Sequence, residues 1–352
     1  MRAWGAPLRI VSIGGGTGLS TLLRGLKPFL VRPGGGKRTP EAPAAEITAV
    51  VTVTDDGGSS GRLRREFDIL PPGDIRSCMV ALSEDEALLS RLFQYRFATG
   101  RGLKGHSFGN LFLAAMTNLT GDFAHAVRLS SEVLASRGRI FPSTHANVVL
   151  EATLENGAVV AGESRISRSK ARIERITLRP RRCRPLPETL EAIASADLIT
   201  LGPGSLFTSV VPNLLVEGIP RAIRESPAVK AYFVNLMWQP GETMQFRASD
   251  HVAALYSHGL RGMLDCVVVN PAPIAGAQRR RYAAARVQPV EVDYDRLAAL
   301  KVGVIRRELV AQAPKVRHDP QAIAAVALEL AAAGRRRRAK LEGRLGRATT
   351  VR

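Results

Sequence analysis

The sequence predicts an α/β fold: a Rossmann-like parallel sheet flanked by helices, carrying a β-rich insertion. Three observations lead there. Short apolar runs end repeatedly in Gly, Asp or Asn, and each is followed by a helical stretch, the rhythm of strand, loop and helix. The runs are apolar and rich in β-branched residues, as strands buried on both faces are. Glycine-rich or acidic motifs follow the runs directly, which gathers them on one edge of a parallel sheet.

The elements follow in order. Leu8–Ile13 is the first strand and Leu19–Leu30 a helix. Residues 32–45, rich in Pro and Gly, read as a flexible surface insertion. Ile47–Thr54 is the second strand, and helical patterns cover Ser77–Ser83, Glu86–Phe97 and Asn110–Leu119. The texture then changes. Val148–Glu163 shows two extended runs around Asn156-Gly157, a hairpin signal, and residues 164–186 are basic and proline-bearing. Residues 139–186 are therefore the expected insertion. Strands resume at Asp197–Leu201, Ala231–Leu236 and Cys266–Asn270. Asp319–Gly334 is a C-terminal helix with Asp319 as cap, Pro320 in its first turn and Gly334 as its stop. The expected organisation is one α/β domain over residues 1–334 and a basic, disordered tail over 335–352.

Composition narrows the function. The chain has 352 residues, 45% apolar and 23% charged, enough for a large core. No apolar stretch approaches the ~18 residues of a membrane span, and the N-terminus shows no secretory pattern. Cys78, Cys183 and Cys266 are widely spaced and odd in number, which suits reduced thiols rather than a disulfide framework or a zinc site. A cytoplasmic location is the expectation. The net charge is +19, of which residues 335–352 supply +7. A basic chain suits a polyphosphate ligand, anionic lipid or nucleic acid. Aromatics are only 5%, without the aromatic–basic interleaving of single-strand binders, so nucleic acid is not expected.

The loops carry the chemistry. Gly14-Gly15-Gly16-Thr17-Gly18 lies between strand and helix, where small residues let backbone N–H groups approach phosphate. It matches neither a strict dinucleotide fingerprint nor a Walker A loop, and a tight turn that binds nothing is the plain alternative. Asp55 and Asp56 follow the second strand. One could hold a ribose; both together could hold Mg²⁺ on a phosphate; an Asx turn capping the next helix is the alternative. Ser59, Ser60 and Arg62 stand beside them as phosphate partners. Asp74 fits an N-cap and a ligand contact equally. His106, in Gly105-His106-Ser107-Phe108-Gly109-Asn110, fits a phosphate partner, an acid–base group or a structural histidine. Gly202-Pro203-Gly204-Ser205 repeats the logic of the first glycine turn. Asn235 ends a strand, and Gln239-Pro240-Gly241-Glu242-Thr243 follows; Asp250 is most simply a helix cap.

In this order the motifs Gly14–Gly18, Thr54–Arg62, Pro71–Arg76, Gly105–Asn110, Gly202–Ser205 and Gln239–Thr243 resemble those of the gluconeogenesis factor family. These are the YvcK-like UDP-sugar-binding proteins of bacteria, relatives of 2-phospho-L-lactate transferase. The resemblance spans roughly residues 8–325. Three features depart from it: the long 32–45 insertion, Trp238 where a small polar residue is expected, and the arginine tail. The resemblance implies a UDP-sugar ligand such as UDP-N-acetylglucosamine and a regulatory role in cell shape and wall synthesis on gluconeogenic carbon sources. The alternative it implies is a Mg²⁺-dependent transferase of a phosphate-linked group. Catalytic residues are unassigned. The ligand-binding set is then Gly14, Gly15, Gly16, Thr17, Gly18, Asp55, Asp56, Ser59, Arg62, Asp74, His106, Asn110, Gly202, Gly204, Ser205, Asn235, Gln239, Glu242 and Thr243, with Asp55 and Asp56 as metal candidates. The sequence leaves the oligomeric state open, with a homodimer one option; membrane insertion is not expected.

Overall fold

The computed structural model of the chain describes residues 6–31, 43–84 and 87–349. Seven strands form one parallel sheet: β1 (Leu8–Gly14), β2 (Ala45–Val51), β3 (Arg139–Pro142), β7 (Leu198–Leu201), β8 (Val229–Phe233), β9 (Cys266–Val269) and β10 (Gly303–Arg306). Their spatial order is β10-β9-β8-β7-β1-β2-β3. The chain builds outward from β1 through β2 to β3, then returns to the other flank of β1 and builds through β7 to β10. The order therefore reverses between β1 and β7, and the carboxyl ends of these two neighbours open the crevice where such sheets take ligands. β1 and β7 are almost entirely buried, and so is β8. That accounts for their unbroken apolar runs.

The insertion is smaller than expected. β3 belongs to the main sheet, pairing in parallel with β2 through Thr48–Arg139 to Val51–Pro142. Its four residues lack a long apolar run, so an edge strand of the parent sheet read as the start of the insertion. The insertion proper is a three-stranded antiparallel sheet of β4 (Val149–Leu154), β5 (Val159–Ala161) and β6 (Ile173–Arg179), in the order β5-β4-β6. The Asn156-Gly157 turn joins β4 to β5, with Gly157 at φ +79°. This sheet is docked on the body. The N–H of Ile176 donates to Nε2 of buried His258 at 3.1 Å, and the Arg172 guanidinium lies 5.0 Å from the Phe246 ring centre.

Three helices matter for the site: α1 (Gly16–Leu26), α2 (Gly58–Phe67) and α3 (Gly73–Leu82). The glycine and serine residues after Asp56 suggest a loop, yet α2 starts at Gly58. Its buried face holds Ser59, Ser60, Gly61, Leu63 and Arg64. Packing overrides the weak helix propensity of Gly and Ser here. Residues 32–42 of the expected surface insertion lie outside the described residues, and Ala45 is already in β2.

The C-terminal helix departs furthest from expectation. Asp319 caps it as expected, its Oδ1 accepting from Ala322 N at 2.8 Å, but the helix runs from Pro320 to Thr349 without stopping at Gly334. Gly334 is a contact residue: a Cβ there would meet the carbonyl oxygen of Asp197 at 1.8 Å. The missing side chain lets the helix lie against the start of β7. One turn on, Arg335 and Arg338 converge with Arg9 on the fully buried Asp197 carboxylate, at 2.6, 3.5 and 4.0 Å. The start of the expected tail is thus a structural clamp.

Deleting residues 335–352 strips Asp197 of two of its three cations. It should cost at most about 3–5 kcal/mol, the penalty for a wholly uncompensated buried charge, because Arg9 and its N–H remain on the carboxylate. Gly334→Ala should also destabilise, although Ala favours a helix by about 1 kcal/mol. Thermal melts of both variants check this; melts unchanged from the parent would refute the clamp.

Candidate functional site

The site starts from the two glycine turns. Gly14 ends β1, and an ideal Cβ on it would lie 3.9 Å from the Gly202 Cα; Gly202 N donates to Ile13 O at 2.9 Å. A Cβ on Gly18 would stand 2.2 Å from the Pro203 carbonyl oxygen, so Gly18 exists for the contact between the turns. Gly15 serves a different approach: a Cβ there would meet Asp74 Oδ2 at 2.5 Å. Gly16 has φ +58°, and its Cβ position faces open space with Asp74 Oδ1 and Ser209 Oγ both at 3.9 Å. Of the glycines in the turn, Gly16 is the one whose missing side chain leaves room for a ligand.

A cleft of about 420 Å³ opens over these turns. Of the residues expected at a site, it is lined by Gly15, Gly16, Thr17, Gly18, Asp74, Gly204, Ser205, Asn235 and Gln239. Asn235 Nδ2 donates to Gln239 Oε1 at 2.7 Å, and Gln239 Nε2 donates to Ser205 Oγ at 2.8 Å. This chain ties the ends of β7 and β8 together. Thr243 Oγ1 accepts from Gln239 N at 3.1 Å, holding the turn from behind. Glu242 is buried under the same turn, accepting from Phe207 N and from the Thr208 hydroxyl, both at 3.2 Å. These two support the site and do not line the cleft. A larger groove of about 1,120 Å³ runs along β3 past Asp122, His125 and Arg128, without a glycine turn.

Asp74 lies inside the first turn of α3 and makes no cap of its own helix. It accepts from the Gly16 N–H, so it occupies one anion position at the start of α1. Burial, then the nearby Asp55 charge, pushes its pKa up to about 7. Asp55 Oδ1 accepts from Gly57 N at 2.8 Å, the Asx turn. Asp56 Oδ1 accepts from Ser164 N at 2.8 Å, which clasps the insertion. Neither lines the cleft, and among the described residues no three His, Cys, Asp or Glu side chains are placed to hold a metal ion. A Mg²⁺ in this neighbourhood would therefore draw most of its ligands from phosphate and water. Ser59, Arg62, His106 and Asn110 gather around the start of the helix Phe108–Thr120, off the cleft.

Several cleft residues gave no motif in the sequence. Glu163 enters from the insertion, just after β5; burial, followed by Asp74 and Asp55, raises it to about 9. Lys315, Arg317 and His318 arrive from the segment before the C-terminal helix, with Tyr282 and Ser209 beside them. The Lys-Val-Arg-His run ahead of the Asp319 cap was the available signal. Trp238 lines the wall, its indole N–H donating to Phe246 O at 3.0 Å. Asp250 is structural as read, Oδ2 accepting from Arg247 N at 2.8 Å at the helix start.

Two outcomes follow. Gly18→Ala should lower the melting temperature through its clash with Pro203, whereas Gly16→Ala should cost only the about 1–2 kcal/mol of a left-handed residue; equal losses would contradict the division of roles. The acids set a pH dependence. Glu242 at about 7 and Glu163 at about 9 keep protons in the fold that the unfolded chain, at about 4.5, has released. Stability from this source is complete below pH ~4.5 and is lost as pH rises through 7 and then 9. Melting of Glu163→Gln against pH should show a flatter decline between pH 7 and 9 than the parent. An identical slope would place the proton elsewhere.

Comparison with known proteins agrees with the architecture. The family model described as 2-phospho-L-lactate transferase CofD matches residues 10–310. The gluconeogenesis factor of Bacillus subtilis (strain 168) is 49% identical over 323 residues, covering 92% of this chain and 98% of its own. That of Halalkalibacterium halodurans is 48% identical over 321 residues, covering 91% and 95%. A crystal structure of a UPF0052 family protein from Bacillus halodurans superposes with a TM-score of 0.86 at 47% identity, covering 92% of this chain and all of that one. At this identity and coverage, with the glycine turns, the switch-point crevice and the small antiparallel sheet in place, the chain belongs to the gluconeogenesis factor family, a branch of the CofD-type proteins.

Proposed function

We propose that the chain binds a UDP-sugar of the UDP-N-acetylglucosamine type in the glycine cleft. In this reading it acts in the cytoplasm as a regulator of cell shape and wall synthesis during gluconeogenic growth. The observation that carries the reading is the joining of two glycine turns at the switch point under a cleft lined by Lys315 and Arg317. Helix α1 directs its N-terminus there, and the two cations supply the charge a diphosphate needs. Asn235, Gln239 and Ser205 form a pre-set polar rail suited to sugar hydroxyls. Asp74 opposes an anion when ionised. Its raised pKa means that near pH 7 it is partly protonated and able to donate instead. No helix among the described residues is long and apolar enough to cross a membrane.

A transferase is the second reading, and the matched family model favours it. Asp74 would face the phosphates with Asp55 acting on it from outside the cleft, and a divalent cation would supply charge neutralisation there. Catalysis demands more of these carboxylates in the transition state than binding does.

Calorimetry with UDP-N-acetylglucosamine should show binding to the wild type and at least about tenfold weaker binding to Gly16→Val, whose side chain fills the open space above α1. Unchanged affinity in a folded Gly16→Val variant would sink the reading. Mass spectrometry of the same mixture with Mg²⁺ and a metabolite extract should show no consumption of nucleotide sugar. Consumption that vanishes in Asp55→Asn would establish the transferase.

A further inference from the structure

Ser59, Arg62, His106 and Asn110 stand out in the sequence, yet the glycine cleft does not use them. They are built into a second cluster around the start of the helix Phe108–Thr120. Arg62, on α2, donates from Nη2 to Lys104 O at 2.9 Å. Arg96 donates from Nη1 to Gly105 O at 2.6 Å. Two guanidinium groups are thereby held by consecutive carbonyls of one turn. The next residue is His106, buried, with Nδ1 3.0 Å from Ser59 Oγ. Arg76, on α3, donates from Nε to Asn110 Oδ1 at 2.9 Å, and Asn110 Nδ2 donates to Ser60 Oγ at 3.4 Å.

The charges here are mostly of one sign. Burial is the first cause that disfavours the protonated forms of Arg76 and His106; Arg96 adds to it at both, and Arg62 adds to it at His106. The acids that act on the cluster are Asp74 and Asp55 on Arg76 and Glu66 on His106. Among the described residues no carboxylate is within ion-pair range of Arg62, Arg76 or Arg96. Neutral carbonyl and amide oxygens fix these arginines in place without a direct carboxylate partner. Like charges held together in this way repel, and a bound oxyanion removes the repulsion while using donors already oriented.

We propose that Arg62, Arg76 and Arg96, grouped around His106 and Ser59, form a second anion site, separate from the glycine cleft, that takes the phosphate group of a small molecule. Three guanidinium groups and a hydroxyl brought in from three segments of the chain suit a tetrahedral, multiply charged group. A lone carboxylate is satisfied by one guanidinium fork. Asp74 of the cleft and Arg76 of the cluster are two residues apart on α3, so the two sites share a helix.

The test is calorimetry of the full chain with inorganic phosphate at pH 7.5 and constant ionic strength, with sodium acetate as the parallel arm. Saturable phosphate binding is expected, at least tenfold weaker in Arg62→Ala and in Arg96→Ala, with no saturable heat from acetate. Arg96 is exposed, so its variant carries the test should Arg62→Ala fail to fold. Lys315→Ala, on the cleft, should leave phosphate affinity within twofold while weakening UDP-N-acetylglucosamine. The proposal is overturned by an absence of saturable phosphate binding, by arginine variants that bind as the parent does, by acetate binding equal to phosphate, or by a loss in Lys315→Ala matching theirs. None of these results bears on UDP-sugar binding, which its own titration decides.

Discussion

The close contact between the turns that end β1 and β7 is the constraint from which the rest of the site follows. Gly18 packs on the Pro203 carbonyl with no space for a Cβ, while Gly14 and Gly202 sit beside each other at ordinary van der Waals distance. The contact is available only because β1 and β7 are neighbours, and they are neighbours because the sheet reverses its order there. α1 therefore starts at the floor of a crevice, and the polar rail from Ser205 to Asn235 runs along its rim. Separating the turns by one methyl would move both the floor and the rim.

A second feature is the concentration of acids beside this anion-friendly floor. Asp74, Glu163 and Glu242 all have raised pKa values, and burial is the first cause in each case. Protein that removes water from a carboxyl favours its neutral form, and each further acid nearby adds to the effect. A neutral carboxylic acid is a hydrogen-bond donor, so the same residues change from opponents of a phosphate to partners as they take up a proton. Glu163 is delivered by the insertion, which is itself clasped by Asp56 and by His258. The insertion thus contributes Glu163 to the lining of the cleft.

The opposite edge of the sheet is held by a different device. Asp197 precedes β7, and Arg9, Arg335 and Arg338 meet there. One end of β7 is locked by charge, while the other carries the second glycine turn. The C-terminal helix, through Gly334 and the two arginines after it, fixes the strand on which the switch point depends.

The parallel core was legible because a strand buried on both faces must be an unbroken apolar run, and Leu8–Ile13, Asp197–Leu201 and Cys266–Asn270 are such runs. The glycine turn at 14–18 was legible for a local reason as well: strand, glycines and helix follow one another along the chain. Edge strands carry no such mark, so β3 was read into the insertion and β10 went unread. Whether a glycine ends a helix or lets it approach a neighbour depends on what lies across from it; at Gly334 the answer was the Asp197 carbonyl, 137 residues earlier in the chain. The same holds for the acids. Asp55 and Asp56 look like a pair in sequence, but one turns its own loop and the other clasps the insertion. Asp74 and Glu163, far apart in the chain, share the cleft instead. Residue types and local order determined which chemistry the protein carries. Which groups meet, and in which protonation state, was decided by the tertiary structure, because burial and proximity between distant segments are not properties of any single segment.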